Sequence, residues 1–220
     1  MKKSISRLVI CFLGSIAGCF GVNTFNRYIL MSLPLVGRML CMPVVYWLIA
    51  ITTIVLMILD KEKLSDIGFS KERIPAQILE GVACGIAMSV ILTLIPHFAG
   101  FGGWVDNGHR YKYAWQFIFE FVYCIVAVGA VEEFVFRGYL YSKIKSIYDK
   151  DWCAIVVSSV MFGLFHVFSA NLIQILITSI IGAIFCFMKL KIKHCSVLLL
   201  IISHGVYDAL ITVWGSLLLG

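Results

Sequence analysis

The sequence predicts an all-α protein, a polytopic bundle of about seven transmembrane helices with its N-terminus in the cytoplasm. Three observations predict it. Of 220 residues, 61% are hydrophobic and only 14% charged, at a mean hydropathy of +0.97. A water-soluble domain has about a quarter of its residues charged, and one globular core could not bury this much apolar surface. The apolar residues gather into runs close to the ~20 residues that cross a ~30 Å hydrocarbon layer. Lysine and arginine are dense on alternate connectors and sparse on the others, which sets the orientation.

The runs fall at about 8–25, 39–59, 76–98, 115–140, 152–168, 172–188 and 195–219. The first is the weakest, diluted by Gly14, Gly18, Gly21 and Asn23. Its "IAGC" at 16–19 loosely resembles a lipoprotein cleavage box but lacks the leading leucine, so the run is read as an ordinary first span. After the second run comes the longest hydrophilic connector, "DKEKLSDIGFSKER" at 60–73, too short to fold alone. The third run carries a small-residue stripe of Gly81, Gly85 and Ser89, and the sixth carries Gln174, Thr178 and Gly182. Both read as close helix contacts. The fifth and sixth runs are joined by a short outer turn, Ser169-Ala170-Asn171, and arms of about 25 Å leave that hairpin either tilted or short of the far surface. With no loop large enough for a second unit, residues 1–220 are expected to form a single transmembrane domain.

Thirteen basic residues lie on the N-terminal side, among them Lys2, Lys3, Arg7, Lys61, Lys143 and Lys189, against four on the other: Arg27, Arg38, Arg110 and Lys112. The net charge of +6 is thus a collar facing anionic lipid, with no nucleic-acid partner implied. The eight cysteines sit in or beside apolar runs without a Cys-x-x-Cys pair and read as small buried hydrophobes.

Ionisable side chains inside spans are costly and mark function by default. Those present are Glu120, Glu132, Glu133, Arg137, His166, His204 and Asp208. Glu120 lies just inside Trp115 and is expected to be satisfied near the outer interface. Glu133 and Arg137 are four apart with the acid first, the favourable order for an ion pair. Glu132, about 100° round the helix, cannot then serve the same partner and is left as a carboxylate without a local cation. His204 and Asp208 share one helix face, as do Phe162 and His166. Counting from the nearest flanking charges puts Glu132, His166 and His204 about 16, 22 and 15 Å deep, all near mid-membrane. Taken singly each has a plainer reading, a packing histidine or a structural ion pair. Their joint occurrence at one depth is what points to a shared site.

The ordered set Glu-Glu-x-x-x-Arg at 132–137, Phe-x-x-x-His at 162–166 and His-x-x-x-Asp at 204–208 resembles the CPBP family. That family comprises intramembrane proteases, including CaaX prenyl endopeptidases of the Rce type and bacteriocin-processing or immunity proteins. "LSDIGF" at 64–69 is also similar to the family's connector, whereas the N-terminal 75 residues add only hydrophobic spans. The last motif position, often asparagine in the family, is Asp208 here. The resemblance implies a motif-bearing catalytic core over about 115–215 and hydrolysis of a peptide bond.

In that reading Glu132, with His166 beside it, activates water, and His204, held by Asp208, donates to the developing oxyanion. Glu133 and Arg137 anchor the helix and aim Glu132. No cofactor is required. The alternative is a divalent metal such as zinc held by Glu132, His166 and His204, although the His-Glu-x-x-His signature is absent. The implied partners are a membrane-associated peptide or protein substrate and the lipid bilayer. Small size and short loops point to a bacterial inner membrane, which disfavours a prenylated substrate. Two rival functions share these residues: a proton-coupled transporter, against which stands the lack of duplicated halves, and a non-catalytic bacteriocin-immunity scaffold, in which the motifs would be dispensable.

Overall fold

The computed structural model describes residues 2–102, 110–169 and 171–218. Ala170 of the expected outer turn and Leu219 of the seventh run lie outside the described residues. Among the described residues, seven helices are long and apolar enough to cross a membrane: α1 (Ser4–Ser32), α2 (Leu35–Asp60), α3 (Ile74–Phe101), α4 (Ala114–Tyr148), α5 (Asp151–Phe168), α6 (Leu172–Lys191) and α7 (Val197–Leu218). No strand occurs among the described residues. Apolar side chains such as Leu13, Leu40, Val44, Ile58, Leu79, Ile118, Leu172 and Ile180 stand exposed around the bundle. An apolar exterior of that extent suits lipid rather than water, and the chain is a multi-pass membrane protein.

Two helices, α1 and α4, exceed the expected runs by the most. Two of the three glycines that dilute the first run are contact points: a Cβ on Gly14 would strike Thr52, and one on Gly18 would lie 2.7 Å from the Ile49 backbone, whereas one on Gly21 would meet open space. Gly14 and Gly18 let α1 pack closely on α2, and α1 extends well beyond 8–25. α4 continues past residue 140 through Tyr141–Tyr148, a polar turn that still buries Tyr141 and Ile144. It stops where Asp149 turns left-handed at φ 50°.

α7 is the axle of the bundle. In its most apolar stretch 61% of residues are buried, against 22–33% for the other six. Small residues bring its neighbours in. A Cβ on Gly85 of α3 would lie 2.6 Å from the Ser203 carbonyl, and one on Gly205 of α7 would lie 2.5 Å from the Ile125 backbone of α4. The third-run stripe is therefore a helix contact, as read, and its Ser89 accepts the indole N–H of Trp214 at 3.3 Å. The sixth-run stripe divides instead. Gly182 packs on Ser159 and Phe162, whereas Gln174 and Thr178 face a cavity.

The connector after α2 is stitched to the bundle. Gly68, at φ 92°, offers its carbonyl to the Val197 N–H at 3.0 Å, at the start of α7. The Gln77 amide donates to the Glu72 carbonyl at 2.6 Å and accepts the Ser196 hydroxyl. Arg7 grips Asp60 through two nitrogens, at 3.0 and 2.9 Å, and Lys143 pairs with Glu62. The eight cysteines carry no disulfide among the described residues. Burial pushes the Cys195 thiol, in the turn before α7, up to about 12, so it stays a protonated hydrophobe.

Candidate active site

The site is built where α4 and α7 approach most closely. Within α4, a single α-helical turn, Ala130–Glu133, is flanked by wider π-helical stretches, Cys124–Gly129 and Phe134–Leu140. Such widened turns recur at functional positions. Glu132, Glu133, Arg137 and His204 are all buried there. Across the contact, His204 sends Nδ1 to Glu133 Oε1 at 2.7 Å. Its Nε2 lies 3.3 Å from Asp208 Oδ2 and 3.9 Å from Glu132 Oε2.

This corrects the sequence reading of the acidic pair. The two glutamates do share a partner, because a histidine ring has two nitrogens and α7 delivers His204 between them. Glu133 therefore faces two groups, His204 and Arg137, rather than Arg137 alone. The Glu133–Arg137 contact is chiefly Coulombic. At 3.1 Å the guanidinium N–H vectors miss the carboxylate, and no Arg137 nitrogen has an aligned acceptor among the described residues. The guanidinium instead sits 4.0 Å above the Phe162 ring and 5.2 Å from that of Phe185, where the ring faces attract a cation. Phe185 also stacks on His204 at 4.9 Å. Lys189 donates to the Arg137 carbonyl at 2.5 Å, tying α6 to the widened part of α4.

His166, in the last turn of α5, sets its Nδ1 2.9 Å from the Phe162 carbonyl. A carbonyl can only accept, so Nδ1 carries the proton and Nε2 is the free lone pair of the neutral ring. The partners of Glu132 among the described residues are His204 and Tyr46, whose hydroxyl lies 2.5 Å from Glu132 Oε1. Glu132 and His166 both open onto one cavity of about 630 Å³. Its wall also includes His204, Asp208, Tyr46, Gln174 and Thr178. Because His166 shares that wall with Glu132 and His204, the end of the α5–α6 hairpin stands at the level of the site.

Among the described residues no three His, Cys, Asp or Glu side chains converge as a cation's ligand set. Both His204 nitrogens already have carboxylate neighbours. Sequence reasoning missed Tyr46 and Phe185. A tyrosine or phenylalanine in an apolar run reads as packing. Polar tips on aromatic residues in spans were the one signal that could have flagged Tyr46.

Residues 114–210 match the family described as type II CAAX prenyl endopeptidase, Rce1-like. Neither the curated proteins nor the solved structures give a match to the chain. The matched segment holds Glu132, Glu133, Arg137, His166, His204 and Asp208, and begins after α1, α2 and α3.

Proposed function

We propose that the chain, whose residues 114–210 match the Rce1-like family of CAAX prenyl endopeptidases, is an intramembrane endopeptidase in which Glu132 activates the attacking water. One observation carries the reading: Glu132, His166, His204 and Asp208 open together onto one cavity inside the bundle. A water held between Glu132 Oε2 and His166 Nε2 gives its proton to the glutamate as its oxygen attacks the scissile carbonyl. The carbonyl oxygen becomes an oxyanion and accepts from Nε2–H of His204, which in this scheme is an imidazolium with its other proton donated from Nδ1 to Glu133; Nε2 is the edge of the ring that faces Asp208 and the cavity. Collapse of the tetrahedral intermediate breaks the C–N bond, and Glu132 returns the proton to the leaving amine. Glu133 and Arg137 do not touch the substrate; Glu133 holds the His204 ring through Nδ1, and Arg137 stands behind Glu133. No step in this scheme passes through a metal ion.

The substrate in this proposal is a membrane-associated peptide or protein segment. With the N-terminus in the cytoplasm, as the basic residues argue, the chain works in a bacterial inner membrane, and a reporter fused to the C-terminus is non-cytoplasmic. The test of activity is a peptide inventory of membranes holding either the wild-type protein or Glu132→Gln. Fragments generated only by the wild type are expected, and identical inventories refute the reading.

A further inference from the structure

We propose that Tyr46 is a positioning residue for Glu132, so that the site is completed by α2, a helix outside the family-matched segment. The proposal rests on the protease reading above for its kinetic consequence, but its geometry stands alone. Tyr46 ends the α-helical first half of α2, Leu35–Tyr46, where the chain tightens into the 3-10 turn Trp47–Ala50. That change of winding follows directly on the residue whose hydroxyl meets Glu132. The ring is braced edge-on by Tyr123 of α4, with centroids 6.1 Å apart and planes at 79°. The hydroxyl reaches Glu132 Oε1 at 2.5 Å, and both residues line the cavity.

An ionised carboxylate only accepts, so the phenol donates. The two oxygens of Glu132 are thereby given different duties. Oε1 is pinned by Tyr46, while Oε2 points to the His204 side, 3.9 Å from Nε2, and stays available to water. Without the phenol, no neutral donor among the described residues reaches the carboxylate from the α2 side, and it can rotate, so both oxygens sample the water position and neither holds it. Apolar packing alone does not account for the contact, since Tyr46 could bury its ring with the hydroxyl turned elsewhere.

The test uses Tyr46→Phe in the full-length protein, which keeps the ring and removes one oxygen. The probe is a fluorescence-quenched peptide built on a cleavage site mapped in the membrane inventory. kcat is expected to fall about 10- to 100-fold, the range of a lost hydrogen bond to a charged group. KM is expected to stay at the wild-type value and the thermal midpoint to fall only modestly, as for loss of one hydrogen bond, so that the large effect lies in kcat, a split that a merely structural role would not give. A second measurement needs no substrate: the infrared difference between wild type and Glu132→Gln isolates the Glu132 carboxylate band, and that band shifts in Tyr46→Phe. Wild-type kcat in Tyr46→Phe beside an inactive Glu132→Gln overturns the role of Tyr46 alone. An unmoved carboxylate band overturns the hydrogen bond itself. A fully active Glu132→Gln overturns the protease reading instead.

Discussion

Glu120 and Glu132 lie on the same helix, about 18 Å apart along α4, and both are buried acids in a membrane span. Their surroundings differ. Glu120 is enclosed by neutral donors: Tyr111 donates to Oε2 at 2.9 Å, and Thr212 and Cys124 donate to Oε1 at 3.1 and 3.7 Å. Burial and the neighbouring Glu120 push the Tyr111 phenol up, so it remains a donor. The Tyr111 backbone N–H also reaches Ser216 at 3.0 Å, so the cluster fastens the segment before α4 to the end of α7. Glu132 has its own clamp in Tyr46 but leaves one oxygen toward His204 and an open cavity. The contrast teaches that burial of an acid is not by itself a sign of chemistry. Access to a cavity with a proton donor and a free imidazole nitrogen is.

The sharpest way to separate scaffold from chemistry is at Arg137. Arg137→Ala leaves Glu133 buried with only His204, and thermal unfolding in detergent is expected to show a loss of about 3–5 kcal/mol. Glu133→Gln combined with Arg137→Gln should recover much of that loss, since no lone charge remains. At His204 the effect moves to the chemistry. His204→Gln is expected to lower kcat about 100- to 1000-fold, as for loss of one oxyanion donor, with a small change in melting temperature. The Glu120 side should respond in the opposite sense. Tyr111→Phe is expected to cost about 0.5–1.5 kcal/mol of stability and to leave cleavage within about two-fold of wild type, well short of the ~1.4 kcal/mol that a tenfold rate change represents. A large kcat loss there would erase the distinction between the two acids.

Sequence could show the number of spans and the three motifs because both are local. An apolar run and an i, i+4 spacing need no knowledge of the rest of the chain. Helix ends were less legible. Tyr141–Tyr148 is too polar to read as span yet continues α4, because Tyr141 and Ile144 find buried neighbours. The contacts that shape the site were not legible, since Tyr46–Glu132 and His204–Glu133 join residues 86 and 71 positions apart. The sequence argument that Glu132 and Glu133 must part ways assumed one-point partners on a regular helix. A two-nitrogen ring on α7 and π-helical stretches on both sides of the pair undid it. The first 75 residues, which offered only hydrophobic spans to the eye, supply the phenol that holds Glu132.

The central claim is that Glu132, and not merely a buried acid on α4, performs the cleavage. Its most direct test measures peptide cleavage by Glu132→Gln and Glu120→Gln, purified in the same detergent and matched for melting temperature. The account predicts no detectable cleavage by Glu132→Gln and near wild-type cleavage by Glu120→Gln; a fully active Glu132→Gln would contradict it.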